Sequence, residues 1–86
     1  MRDKGAEFVW FDGKYVKWEE ATVPVMAHCL HYGTAVFEGI RAYGTDNNLF
    51  IFRLEDHMKR LHRSASVYCF EVHSSVKELC DATLKL

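Results

Sequence analysis

Eighty-six residues with a formal net charge of −1 make at most one domain, and they offer no basic surplus to neutralise several phosphates, which leaves nucleic-acid binding without support. At 49% hydrophobic, 14% aromatic and 27% charged, the composition is that of a globular protein, and its apolar runs are too short and too often interrupted by charge to span a membrane. The opening Met1-Arg2-Asp3-Lys4-Gly5 lacks the apolar stretch of a secretory leader, while Cys29, Cys69 and Cys80 are odd in number and without C-x-x-C spacing, so they read as reduced thiols of a cytoplasmic protein.

Glu7 to Trp18 reads as a β-hairpin. Phe8-Val9-Trp10-Phe11 and Lys14-Tyr15-Val16-Lys17-Trp18 are rich in β-formers, and Asp12-Gly13 between them suits a type I′ turn, whose two central residues take φ > 0. Glu19 to Tyr32 is irregular: Pro24 breaks a helix here, and a short helical turn is expected over Met26-Ala27-His28-Cys29-Leu30. Thr34 to Tyr43 reads as a strand, with Phe37, Gly39, Arg41 and Tyr43 on one face and Val36, Glu38, Ile40 and Ala42 on the other. The turn cluster Gly44-Thr45-Asp46-Asn47-Asn48 leads to a second strand, Leu49-Phe50-Ile51-Phe52, and closes a hairpin over residues 34–53. Arg53 to Tyr68 is predicted as a helix with the apolar stripe Leu54, Met58, Leu61, Ala65 and Tyr68; Lys59 and Arg63 point away from it and Arg60 lies at its flank. A last helix follows Ser74-Ser75, where Ser75 and Glu78 have capping-box spacing, and its buried face is Val76, Leu79, Cys80, Thr83 and Leu84. The helix has no stop signal before Leu86, which points to a fragment of a longer protein. Two hairpins followed by two packed helices define an α+β fold.

Two arginines could carry chemistry. Arg41, between aromatic and glycine positions, either receives a carboxylate or phosphate through its planar fork or snorkels from an edge strand; Gly39 beside it either admits a ligand or marks a bulge. Arg60 lies in the basic run His57-Met58-Lys59-Arg60-Leu61-His62-Arg63. Helix physics favours a solvated face there, with Glu55 and Asp56 as i,i+4 partners of Lys59 and Arg60. Glu38 reads as a carboxylate at a subunit or domain contact, since nothing local marks it as perturbed. His28 and His31 could share a helical face, while His57 and His62 would not share one well. No acidic or cysteine ligand completes a motif, so no metal is expected.

His31-Tyr32-Gly33-Thr34-Ala35-Val36-Phe37-Glu38-Gly39-Ile40-Arg41 resembles the N-terminal signature of branched-chain amino-acid aminotransferases, fold-type IV transaminases that use pyridoxal 5′-phosphate. Phe52-Arg53-Leu54-Glu55-Asp56-His57-Met58-Lys59-Arg60-Leu61-His62-Arg63-Ser64-Ala65 is similar to the family's next block, and Trp10-Phe11-Asp12-Gly13-Lys14 and Val25-Met26-Ala27-His28 also fit. The resemblance implies that residues 1–86 are the N-terminal small domain, itself incomplete. It implies that Arg60 binds the cofactor phosphate, that Phe37 and Gly39 line the substrate side-chain pocket with Arg41 close by, and that Tyr32 completes the pocket of a neighbouring subunit. A homodimer or higher homo-oligomer follows, acting on leucine, isoleucine or valine and on 2-oxo acids such as 2-oxoglutarate. The family's Schiff-base lysine and the carboxylate facing the pyridine nitrogen lie in a larger C-terminal domain. Lys4, Lys14, Lys17, Lys59, Lys77 and Lys85 fall outside the matching motif, so no catalytic residue is expected here and the 86 residues alone should be inactive. D-amino-acid aminotransferases and aminodeoxychorismate lyases share the fold but differ at Val36 to Arg41, and a small non-enzymatic binding or dimerisation module is the remaining alternative.

Overall fold

A computed structural model describes residues 5–86. They form two compact units: residues up to Ala35 together with Ala82–Leu86, and Val36–Asp81.

In the first unit β1 (Phe8–Phe11) pairs antiparallel with β2 (Lys14–Lys17), in the register Phe8↔Lys17 to Phe11↔Lys14. Asp12 and Gly13 both take positive φ, 54° and 83°, as the type I′ turn requires. A 3-10 turn, Trp18–Glu20, follows. The hydroxyl of Tyr15 donates to the Ala82 carbonyl at 2.8 Å and ties the hairpin to the end of the chain. The helical turn expected over residues 26–30 is displaced to α1 (His28–Tyr32). The Ala27 amide turns back onto the Pro24 carbonyl at 3.0 Å, so the helix starts later, and Gly33, left-handed at φ 67°, ends it.

In the second unit β3 (Ala42–Gly44) pairs antiparallel with β4 (Leu49–Ile51). Thr45 and Asn48 close the turn through their backbones at 2.7 Å and through the Thr45 hydroxyl, which accepts from the Asn48 amide at 3.1 Å. The strand expected from Thr34 to Tyr43 is thus mostly absent as a ladder. β4 spans only three residues, so the preceding stretch has no partner strand beyond the Phe52 amide, which reaches the Arg41 carbonyl at 2.9 Å. Exposure still alternates along residues 36–41, with Val36, Glu38 and Ile40 shielded and Phe37, Gly39 and Arg41 exposed.

Helix α2 (Leu54–Val67) carries the buried Met58 and Ala65, with Leu54 and Leu61 half-buried. Tyr68 falls beyond its last turn and is exposed, so it leaves the expected stripe. Helix α3 (Val76–Lys85) begins at the expected capping box: the Glu78 amide donates to Ser75 Oγ and the Ser75 amide donates to Glu78 Oε1, each at 3.1 Å. Its buried residues are Leu79 and Ala82, whereas Leu84 is exposed, contrary to the expected face. His62 Nε2 and the Ser74 carbonyl, 2.9 Å apart, link α2 to the segment that leads into α3. The architecture is α+β, with two hairpins preceding two longer helices. No helix among the described residues is long and apolar enough to cross a membrane.

Candidate functional site

The first turns of α2 build a cationic cleft. Arg53 caps the helix in the left-handed conformation (φ 52°), and its Nε donates to Asp56 Oδ2 at 2.9 Å. From there the i, i+3 and i, i+4 spacings bring Asp56, His57, Lys59, Arg60 and Arg63 to one side. With Arg53 and Phe52 they line a cleft of about 470 Å³. Four cationic side chains therefore face a single carboxylate, Asp56, which Arg53 already engages. Lys59 is paired with Glu55 at 3.1 Å, the i,i+4 contact expected from the sequence.

Arg60 does not take its expected partner. Its guanidinium turns instead to Glu38, twenty-two residues earlier. Nε donates to both carboxylate oxygens, at 2.9 and 3.1 Å, and Nη2 donates to Oε1 at 2.7 Å. His57 Nδ1 approaches the same Oε1 at 2.8 Å. The Glu38 side chain is 7% exposed while that of Arg60 is 59% exposed, so the carboxylate backs the guanidinium and leaves its outer edge to solvent. Nη1 makes no hydrogen bond to a described residue. The hydrogen bonds from Arg60, and then from His57, hold the Glu38 carboxyl down at about 2, and the same carboxylate raises the Arg60 pKa. Glu38 is therefore strongly perturbed, which corrects the sequence expectation. The signal was the alternation that put Glu38 on the face opposite Phe37; its partner on α2 was not legible.

Phe37, by contrast, is 87% exposed, Gly39 and Arg41 share its exposed side, and a Cβ on Gly39 would meet no atom within 4 Å. None of the three lines the cationic cleft. Tyr32 ends α1 in the other unit, exposed, with its ring tilted against that of His28. His28 and His31 both sit on α1, yet they turn to different partners, Thr34 Oγ1 and the Val25 carbonyl. Among the described residues no three His, Cys, Asp or Glu side chains are grouped to hold a metal ion. Cys29, Cys69 and Cys80 are free, and burial, then Glu55 and Asp81, push the Cys80 thiol up.

Solved structures define the class of this fold. The branched-chain aminotransferase of the archaeon Thermoproteus uzoniensis, solved with norvaline, matches with a TM-score of 0.88 at 48% identity, over 94% of this chain and 27% of that one. The T.th. branched-chain amino acid aminotransferase, complexed with N-(5′-phosphopyridoxyl)-L-glutamate, matches with a TM-score of 0.87 at 46% identity, over 93% and 27%. The fold is that of the N-terminal domain of fold-type IV aminotransferases. No protein-family model matches the chain. The branched-chain-amino-acid aminotransferase of Escherichia coli K12 is 51% identical over 82 residues, 95% of this chain and 26% of the relative. In sequence and fold, then, the chain is similar to the N-terminal domain of branched-chain amino-acid aminotransferases, and it spans about a quarter of the length of the curated relatives it matches.

Proposed function

We propose that this chain forms the cofactor-phosphate and side-chain-pocket portion of a pyridoxal-phosphate-dependent branched-chain amino-acid aminotransferase. The observation that carries this reading is the cleft on α2, where Arg53, Lys59, Arg60 and Arg63 gather and Arg60 is backed by Glu38. A phosphate ester suits such a lining, because guanidinium groups meet its oxygens with charge-assisted, forked hydrogen bonds. Arg60 has used Nε and one edge of Nη2 on Glu38, and the rest of its donors remain for an anion. The residues present therefore fit the phosphate end of pyridoxal 5′-phosphate. Among the similar structures, one contains a phosphopyridoxyl adduct and another pyridoxamine 5′-phosphate.

When bound, the cofactor supplies an electron sink for charge that develops at the substrate α-carbon. In this reading Arg60 anchors the phosphate and so fixes where that sink lies. Phe37 and Gly39, with Arg41 beside them and Tyr32 from a second copy of the chain, shape an apolar slot for an aliphatic side chain. The norvaline in the Thermoproteus structure carries such a side chain. The slot tells substrates apart mainly by burying methylene groups, about 1–3 kcal/mol each. Leucine, isoleucine or valine is the amino donor and 2-oxoglutarate the acceptor. The enzyme is a cytoplasmic homodimer or higher homo-oligomer. The Schiff-base lysine comes from a larger C-terminal domain, and residues 1–86 alone are inactive.

The test is a pyridoxal-phosphate titration of the full-length protein. Arg60→Ala removes charge-assisted hydrogen bonds to the phosphate and should weaken binding about ten- to a hundredfold. Unchanged affinity would refute the assigned role of Arg60.

A further inference from the structure

We propose that Glu38 is a positioning residue for the anion site: it clamps one edge of the Arg60 guanidinium so that the opposite edge is presented, pre-oriented, to a phosphate. The inference rests on the reading of Arg60 given above and deepens it.

Three observations carry it. The contact is specific in geometry: Nε and Nη2, the two donors on one edge of the planar fork, are both taken by a single carboxylate, while Nη1 at the far end is not engaged by any described residue. The clamp is anchored from behind, since the Glu38 side chain is 7% exposed and His57 Nδ1 meets its Oε1 at 2.8 Å. The clamp and the cleft meet in the same two residues, because His57 and Arg60 both line the cleft while Glu38 does not.

An arginine side chain in water samples many rotamers, and an anion must select one of them at an entropic cost. Neighbouring Arg53, Lys59 and Arg63 would also repel the Arg60 head from the cleft they share. Glu38 offsets both effects before the anion arrives. Its own charge acts in the opposite sense, since a carboxylate close to a phosphate repels it. The two effects therefore predict opposite signs for the loss of the Glu38 charge: positioning predicts weaker phosphate binding, simple charge summation predicts stronger binding.

Glu38→Gln separates them. A glutamine puts an NH2 donor where one carboxylate oxygen stands, so the 2.9 Å contact of Arg60 Nε with Oε2 becomes donor against donor, and the negative charge that holds the guanidinium is lost. The experiment uses the full-length protein freed of cofactor and titrates it with pyridoxal 5′-phosphate and, in parallel, with pyridoxal, which lacks the phosphate. The positioning role predicts about two- to tenfold weaker binding of the phosphate ester, with pyridoxal affinity unchanged. A purely structural role would weaken both ligands equally, and a charge role would tighten the phosphate ester; either result overturns the proposal. Arg60→Ala run alongside keeps the two readings apart. If it lowers the preference for the phosphate ester while E38Q does not, only the positioning role fails. If Arg60→Ala leaves that preference unchanged, the phosphate site itself is misassigned. Should E38Q not fold, Glu38→Asp retains the charge but withdraws it by one methylene, and the same selective loss is expected, with an equal loss for both ligands again overturning the proposal.

Discussion

Glu38 joins two residues of α2, Arg60 and His57, through a single carboxylate. Its carboxyl ordinarily titrates at 4.5 and lies at about 2 in the fold, first because Arg60 and then because His57 hydrogen-bonds to the charged form. A pKa depressed by folding contributes stability that is fully present above 4.5 and is lost as the pH falls towards about 2. The melting temperature of the full-length protein should therefore exceed that of E38Q by a constant margin through neutral pH. That margin should close as the pH falls from 4.5 towards about 2. A margin that stays flat into acid would show that the carboxylate is not held by its partners in this way. Arg60 illustrates what a sequence conceals at this scale. Counting four residues along a helix names Asp56 as its partner, and local spacing can name no other. The actual partner lies twenty-two residues away, and Asp56 is taken by Arg53, which enters the helix in the left-handed conformation.

The stretch from Val36 to Arg41 carries the second half of the proposed site. Its alternation was legible in the sequence and persists in exposure, because successive side chains leave the backbone on opposite sides whether or not a ladder forms. The ladder itself was not legible, since it depends on how far a partner strand runs, and β4 is three residues long. Elements specified by local chemistry are legible in the sequence. Asp12-Gly13 dictates the first turn, Ser75 and Glu78 dictate the start of α3, and the spacing of Met58 and Ala65 dictates the buried side of α2. On the exposed side of the 36–41 stretch a Cβ at Gly39 meets open space. Gly39→Val should accordingly change folding stability by no more than about 0.5 kcal/mol. In the full-length enzyme the same substitution should raise the KM for leucine about tenfold or more, because it narrows an apolar slot. Denaturant unfolding and steady-state kinetics on one preparation check both halves; an unchanged KM would remove Gly39 from the pocket.

Across the whole molecule the core is slight. Only Met58, Ala65, Leu79 and Ala82 are buried apolar residues among those described, and no large side chain there is fully enclosed. Chains of this length bury little more than ~60% of their unfolded surface, and two-stranded hairpins alone are marginal in water. Val25, Met26, Leu30 and Tyr32 of the first unit, and Phe37, Tyr43, Leu49 and Phe50 of the second, remain exposed. In the proposed enzyme such surfaces take cover against a catalytic domain and a second subunit, which is also where the lysine and the donated Tyr32 belong. In this proposal the activity belongs to the full-length protein. The decisive measurement is its turnover of L-leucine with 2-oxoglutarate, set against turnover of D-alanine in the same assay with pyridoxal 5′-phosphate present. Amino transfer from L-leucine should be rapid and that from D-alanine slight or absent; transfer from D-alanine alone, or from neither, would rule out a branched-chain aminotransferase.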